Sequence, residues 1–136
     1  MLELESAASP SGEPPSLSER VLVVEDDRAT RLGLTELVRS WGYVAESAAD
    51  GEEALQRLQS RDYDVVLLDI VLPKMSGIDV MESLRRERPQ ALGCIIVVTG
   101  LDIREIRTLF PSVHETLSKP VIPNRLRQAV RSCMSA

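Results

Sequence analysis

The chain has 136 residues, of which 43% are hydrophobic and 27% are charged, an ordinary balance for one globular domain with a sizeable core. Its net charge of -5 argues against a nucleic-acid-binding surface, and no apolar run approaches the roughly 18 residues of a membrane span. The two cysteines, Cys94 and Cys133, form neither a CxxC pair nor a disulfide framework, so we predict a cytoplasmic protein.

The first part of the chain differs in composition from the rest. Residues 1–18, MLELESAASPSGEPPSLS, are rich in serine, proline and glutamate and show no hydrophobic periodicity. Such a composition buries too little apolar surface to fold, so we predict a flexible N-terminal leader. The regular pattern begins at Arg20, and we assign residues 19–136 to a single domain.

Apolar runs that predict strands alternate with helical patterns along this domain. Residues 28–41, for example, place Leu34, Leu37 and Val38 on one helical face. The predicted strands are at residues 21–24, 43–45, 64–68, 94–98 and 115–118. The predicted helices are at residues 28–41, from 50, at 78–87, from 102 and from 123.

Residues that begin or end helices agree with these boundaries. Gly42 follows the first predicted helix, Pro89 ends the third, and Pro123 suits the first position of the last. Asp50, with Glu53 three residues later, resembles a capping box at the start of the second helix.

The alternation predicts an α/β fold. Strands that are apolar almost throughout are covered on both faces, which is typical of a parallel sheet with helices on either side. We therefore predict one doubly wound sheet of five parallel strands flanked by five helices. In such sheets the functional crevice lies beyond the carboxyl ends of the strands.

Four of the five strand ends carry side chains suited to chemistry. Glu25 and Asp26 follow the first strand, Asp69 the third, Thr99 the fourth and Lys119 the fifth. Parallel strands bring these residues to one edge, where three carboxylates repel one another unless a cation neutralises them. Oxygen ligands favour a hard ion such as Mg²⁺. The sequence therefore predicts a magnesium site, with the lysine as a second positive charge.

The same arrangement suits phosphoryl transfer. A carboxylate such as Asp69 can attack phosphorus and become an aspartyl phosphate. Magnesium and Lys119 would stabilise the charge on the equatorial oxygens, and the Thr99 hydroxyl would hydrogen-bond one of them. Gly100 would leave room for the phosphoryl donor.

From Arg20 to about Cys133 the chain resembles the receiver domain of bacterial two-component response regulators. The segments that carry the resemblance are VLVVEDD, VVLLDIVLPKMSG, VVTG and SKP, in this order and at this spacing. The resemblance implies a flavodoxin-like sheet in strand order 2-1-3-4-5. It also implies that Asp69 accepts phosphate from the phosphohistidine of a histidine kinase or from a small acyl phosphate.

The resemblance assigns further roles. Asp26, Asp69 and the backbone carbonyl of Val71 are expected to bind Mg²⁺, with Glu25 acting mainly through coordinated water. The expected partners are a histidine kinase or phosphotransfer protein upstream, and a protein effector or an output domain downstream, with homodimerisation an option. Such a domain is not an enzyme in the usual sense, because it catalyses only its own phosphorylation and slow dephosphorylation.

The chain departs from the family pattern near its end. The family usually carries tyrosine or phenylalanine three residues before the lysine, and this ring turns inward when the threonine moves. Here that position is Thr116, and the interval from Thr99 to Lys119 is shorter than usual. Phe110 can be read as a substitute ring, although we favour a core-filling role for it.

Two apolar residues bear on the lifetime of the phosphate. Val71 and Leu101 lie two residues after the aspartate and the threonine respectively. Apolar side chains that overhang the phosphate cannot orient an attacking water, which predicts slow self-dephosphorylation. Packing of both side chains on their neighbours is the alternative.

Two other functions compete with the phosphorylated switch. A phosphatase of the haloacid-dehalogenase type needs a second aspartate two residues after the nucleophile, where this chain has Val71. A degenerate receiver that binds proteins independently of phosphorylation is the other. The acidic pair and the presence of Asp69, Thr99 and Lys119 argue against it, whereas Thr116 and the shortened fourth helix leave it open.

Overall fold

A computed structural model describes residues 19–135, so the predicted leader lies outside the described residues. Within this range, five strands alternate with five α-helices, and one 3₁₀ helix precedes the fourth strand. The strands are β1 (Arg20–Val24), β2 (Val44–Ala48), β3 (Val65–Leu68), β4 (Ile95–Thr99) and β5 (Glu115–Ser118). The helices are α1 (Arg28–Ser40), α2 (Gly51–Ser60), α3 (Gly77–Glu87), the 3₁₀ helix (Pro89–Cys94), α4 (Ile103–Leu109) and α5 (Pro123–Ser135).

All strand pairs are parallel, and the strand order is β2-β1-β3-β4-β5, which confirms the predicted fold. Val24, the last residue of β1, pairs with Leu68, the last residue of β3. Thr99, the last residue of β4, pairs with Ser118, the last residue of β5. The carboxyl ends therefore lie level at one edge of the sheet, with β3 between β1 and β4.

The sheet carries a hydrophobic core on each face, because successive side chains of a strand point to opposite faces. In β1, for example, Leu22 belongs to one core and Val23 to the other. The first core packs the sheet against α2, α3 and α4 through residues that include Ala54, Leu58, Val80, Met81, Leu84 and Ile106. The second packs it against α1 and α5 through residues that include Val38, Leu126, Ala129 and Val130. Helices on both faces define a doubly wound sheet.

Side-chain caps fix where the helices begin. Asp27 caps α1, Asp102 caps α4, and Ser76 caps α3 in a reciprocal capping box. Asp50 caps α2 as predicted, but the Glu53 carboxylate accepts the amide of the residue before the cap, at 2.8 Å, rather than that of Asp50 itself. The start of each of these helices is therefore set locally by its own sequence.

Several boundaries differ from the prediction, most of them by one residue. Strand β2 extends to Ala48, since its whole length pairs with β1. Strand β4 begins at Ile95 and ends at Thr99, because Cys94 belongs to the 3₁₀ helix that Pro89 begins. Proline fixes φ near the helical value and suits a first helical turn. The predicted stop of α3 before Pro89 is confirmed.

Two further observations concern the helices and the cysteines. None of the helices within residues 19–135 combines the length and the apolar character that a membrane crossing requires. Both Cys94 and Cys133 are free thiols, and burial raises the pKa of Cys133 to about 11. A cytoplasmic location stays a prediction.

Candidate functional site

Three acidic side chains converge at the carboxyl edge of the sheet. One carboxylate oxygen from each of Glu25, Asp26 and Asp69 lies within 4.8 Å of the other two. Glu25 and Asp69 are buried, whereas Asp26 is exposed. We call these three residues the acidic cluster. The structure thus brings together carboxylates that the sequence placed after two different strands.

Lys119 supplies the positive charge of the site. Its ammonium nitrogen lies 2.9 Å from Glu25 Oε1 and 2.9 Å from Asp69 Oδ2. Burial alone lowers the pKa of Lys119, but its hydrogen bonds to the two carboxylates outweigh this effect and raise the pKa above its ordinary value. One ammonium against three carboxylates leaves the site with a net charge of -2.

The donor set of the acidic cluster fits a hard divalent cation. All three ligand atoms are carboxylate oxygens, and the surplus charge of -2 equals in size the charge of such an ion. Both oxygens of Glu25 already have partners, since Oε1 accepts Lys119 and Oε2 accepts the Asp27 amide at 3.0 Å. Both oxygens of Asp69 have partners as well, because Oδ2 accepts Lys119 at 2.9 Å and Oδ1 accepts the Val71 amide at 3.3 Å. Asp26 is therefore the member of the acidic cluster that offers an exposed carboxylate to an ion.

Asp27, the third of the consecutive acidic residues 25–27, has a different structural role. The Asp27 carboxylate accepts the amide and the hydroxyl of Thr30 at 2.9 and 2.6 Å, and these hydrogen bonds lower the pKa of Asp27. Asp27 therefore caps α1 rather than joining the acidic cluster. Arg31, one turn into α1, donates from one nitrogen to the backbone carbonyls of Glu25 and Asp26. Arg31 is not among the site residues predicted from the sequence; its position four residues after Asp27, one helical turn from the cap, is the signal that points to it.

The backbone around Asp69 explains the glycine that follows it at a distance of eight residues. The Asp69 amide donates to the Val24 carbonyl at 3.1 Å, which continues the pairing of β3 with β1. The Gly77 amide donates to the Ile70 carbonyl at 2.8 Å. A Cβ atom on Gly77 would lie 2.4 Å from the Asp69 carbonyl oxygen, so only glycine lets α3 begin this close to the site.

Thr99 is the last residue of β4, and Gly100 follows it at the same edge of the sheet. Thr99 is fully buried, and its hydroxyl oxygen accepts the Leu101 amide at 3.2 Å, which leaves the hydroxyl proton for donation. The Thr99 carbonyl accepts the Lys119 amide at 2.8 Å and so joins the ends of β4 and β5. A Cβ atom on Gly100 would meet no atom within 4 Å, so packing alone does not require this glycine.

Val71 and Leu101 are among the most exposed large apolar residues, at 61% and 48% of their full accessibility. The Val71 amide donates to Asp69 Oδ1 at 3.3 Å, which places this residue beside the aspartate. Their exposure does not match the alternative in which both side chains pack on neighbours. Each leaves apolar surface next to the residues of the site.

The region that departs from the family pattern has its own packing. Thr116 is 3% exposed, and among the described residues its hydroxyl oxygen has no hydrogen-bond partner, whereas Arg107 donates to its carbonyl at 3.4 Å. Phe110 is 1% exposed within the core, with the Arg85 guanidinium 4.7 Å from its ring centroid. The core-filling role that we favoured for Phe110 is confirmed.

Comparison with known proteins decides the family. A family model of the response regulator receiver domain matches residues 21–131. The chain belongs to this family. It is 29% identical over 115 residues to the chemotaxis protein CheY of Thermotoga maritima, and the match covers 84% of this chain and 96% of CheY. It is 32% identical over 121 residues to the Regulator of RpoS of Escherichia coli, covering 88% of this chain but 36% of that protein.

Solved receiver structures are also similar. The receiver domain of the Francisella response regulator 1452 matches with a TM-score of 0.78 and 26% identity, covering 86% of this chain and 97% of that one. The response regulator TrrA of Thermotoga maritima, solved in complex with Mg²⁺-BeF, matches with a TM-score of 0.76 and 31% identity, covering 85% and 98%. The receiver therefore corresponds to nearly all of some relatives and to about a third of another.

Proposed function

We propose that this receiver accepts a phosphoryl group on Asp69 from the phosphohistidine of a histidine kinase or phosphotransfer protein, and so acts as a switch in two-component signal transduction. The observation that carries the proposal is the Asp69 carboxylate, held 2.9 Å from the Lys119 ammonium within the acidic cluster. The similar structure of TrrA, which contains Mg²⁺-BeF, supports it.

The reaction is a displacement at phosphorus. A carboxylate oxygen of Asp69 attacks the phosphorus, the bond to the histidine nitrogen of the donor breaks, and the imidazole leaves with the electron pair. The Lys119 ammonium balances charge on the transferred group, and the Thr99 hydroxyl donates a hydrogen bond to one of its oxygens. Gly100 keeps the approach open, because no side chain projects there.

Magnesium is the cofactor that we propose. Asp26, Asp69 and the Val71 carbonyl would hold it, with Glu25 acting through coordinated water, and when bound it supplies positive charge beside the transferred phosphoryl group. The surplus charge of -2 in the site supports this assignment. Without the ion, a phosphoryl group would enter a site that already repels it.

The phosphate is expected to persist. Val71 and Leu101 expose apolar surface next to the site, and neither side chain can orient a water for attack on phosphorus. We expect the half-life of the Asp69 phosphate to be much longer than seconds. Replacing Val71 by asparagine is expected to shorten the lifetime, measured as loss of phosphoprotein by intact mass.

The output is a protein-interaction surface whose conformation depends on the phosphate. The added charge, close to -2, would have to favour one of two conformations by a few kcal/mol. Thr116 provides no aromatic ring for this change, so repacking between α4 and β5 is the proposed route. The recipient would be a protein effector, an attached output domain or a second copy of the chain, in the cytoplasm.

One experiment tests phosphoryl acceptance. The protein is incubated with acetyl phosphate, or with beryllofluoride and Mg²⁺, and its intact mass and amide spectra are recorded. We expect an adduct that Asp69→Ala abolishes. Asp62→Ala is the matched control, because Asp62 is an exposed aspartate that pairs with Arg88 before β3 begins.

The other outcomes have separate meanings. A folded wild-type protein that forms no adduct would point to the degenerate binding module. Continuous release of phosphate, many times per protein molecule, would point to the phosphatase. An adduct that survives Asp69→Ala would show that another residue accepts the group.

A further inference from the structure

We propose that Arg31 is a positioning residue for the magnesium ligands, acting through the backbone of the loop that carries Glu25 and Asp26. This inference rests on the proposed function, since it concerns the same site. Arg31 does not reach a carboxylate of the acidic cluster by any hydrogen bond recorded in the described residues. Arg31 therefore acts on the backbone geometry of the loop, through the carbonyls of Glu25 and Asp26.

The contact is specific. Nη1 of the Arg31 guanidinium donates to the Glu25 carbonyl at 2.9 Å and to the Asp26 carbonyl at 3.1 Å. One nitrogen thus joins two consecutive peptide groups to the first turns of α1. Hydrogen bonds from a charged donor are among the stronger ones in proteins. Arg31 is half-buried, so its position is partly fixed.

The loop needs such a restraint. It carries two members of the acidic cluster, and their mutual repulsion with Asp69 favours an open loop when no ion is bound. Within the loop, the Asp27 amide donates to Glu25 Oε2 at 3.0 Å, and this bond depends on the same backbone conformation. Arg31 opposes opening by holding both carbonyls.

A role of Arg31 through its charge and a role through positioning predict opposite changes in magnesium affinity when the side chain is removed. A guanidinium close to the site repels a divalent cation, so a role through charge alone means that removing Arg31 tightens magnesium binding. A positioning role means that removal weakens it, because the ligands lose their arrangement. The sign of the change in affinity therefore separates the two.

The test compares two arginines of the same helix. Arg31→Met removes the donors and the charge but keeps an apolar stem. Arg39→Met is the matched control, because Arg39 also lies in α1 and also donates to a backbone carbonyl, that of Ala45 at 2.9 Å, but in β2 and away from the loop. Magnesium affinity is measured by titrating amide resonances with magnesium chloride.

We expect Arg31→Met to weaken magnesium binding about tenfold, the effect typical of losing a residue that orients metal ligands. Arg39→Met should leave the affinity unchanged. With acetyl phosphate, the magnesium concentration for half-maximal phosphorylation should rise about tenfold, while the rate at saturating magnesium changes less than about twofold. Unchanged or tighter binding in Arg31→Met overturns the inference.

A second measurement needs no metal. In magnesium-free protein, hydrogen exchange of the Asp27 amide should be about tenfold faster in Arg31→Met than in Arg39→Met, because the loop opens more often. Equal exchange in the two variants overturns the inference. If the wild-type protein binds no magnesium, the proposed metal site fails, and this exchange result still decides whether Arg31 holds the loop.

Discussion

Two charge clusters of this receiver have opposite compositions. At the carboxyl edge of the sheet, one ammonium, Lys119, meets the three carboxylates of the acidic cluster. On β2, one carboxylate, Glu46, meets three guanidinium groups and a phenol hydroxyl, and we call this the glutamate network. Its donors are Arg20, Arg57, Arg61 and Tyr63, at 3.0, 3.3, 2.9 and 2.6 Å respectively.

The two clusters also differ in where the surplus charge lies. The arginines of the glutamate network are 34 to 46% exposed, so water solvates their extra positive charge. The carboxylates of Glu25 and Asp69 are only 4% and 7% exposed. Uncompensated charge is costly when it is buried. A network of ions thus becomes a candidate binding site where its surplus charge has limited access to water.

Removing the single cation of the site should have the largest effect. Lys119→Met leaves two buried carboxylates without their ammonium partner, although each keeps one backbone amide donor. We expect the free energy of unfolding to fall by about 3 kcal/mol. Added magnesium should restore part of this loss, since it binds the folded state only. Urea unfolding followed by Trp41 fluorescence, with and without magnesium, measures both effects.

The control for this variant is the other lysine of the chain. Lys74 pairs with Asp50 at 3.6 Å and is 62% exposed. We expect Lys74→Met to change the free energy of unfolding by less than about 0.5 kcal/mol. Equal losses for the two lysines would show that the acidic cluster does not depend on its ammonium.

The position of Asp69 can be disturbed without changing any charge. Gly77→Ala places a Cβ atom 2.4 Å from the Asp69 carbonyl oxygen, and we expect a loss of about 2 kcal/mol together with weaker magnesium binding. Gly33→Ala is the control, because a Cβ atom on Gly33, within α1, meets nothing within 4 Å. Alanine there should stabilise the helix by up to about 1 kcal/mol. If Gly77→Ala behaves like Gly33→Ala, the close approach is not a constraint.

Substitution in the glutamate network should have the smallest effect on stability, and this effect should depend on pH. Burial by itself raises the pKa of Glu46, but the Tyr63 hydroxyl and the arginines outweigh it and hold the pKa below 4.5. Its stabilisation is therefore complete above about pH 4.5 and is lost as the pH falls through the lowered pKa. We expect Glu46→Gln to cost about 1 kcal/mol at neutral pH and less in acid.

Thermal unfolding between pH 7 and pH 3 measures this difference. Glu36→Gln is the matched control, because Glu36 is 75% exposed in its pair with Arg39. Its stability should follow that of the wild-type protein at every pH. A Glu46→Gln protein whose stability loss stays constant into acid would contradict the assigned direction of the pKa.

Much of the fold and of the candidate site could be predicted from local sequence. Alternation of apolar runs with helical patterns was enough for the five strands and the five α-helices, because each pattern reflects burial of its own segment. The convergence of Asp69 and Lys119 with Glu25 followed from one geometric rule, that parallel strands end at a common edge. Family resemblance added the strand order.

The tertiary structure decided what depends on contacts between segments. It set the length of β2, which follows its pairing with β1, and the 3₁₀ helix before β4. It gave the three acidic residues Glu25, Asp26 and Asp27 different positions, as a buried partner of Lys119, an exposed member of the acidic cluster and a helix cap. It also brought Arg31 onto the loop. Periodicity reports which face of an element is buried, but not which atoms of another element meet it, and those contacts give each carboxylate its role.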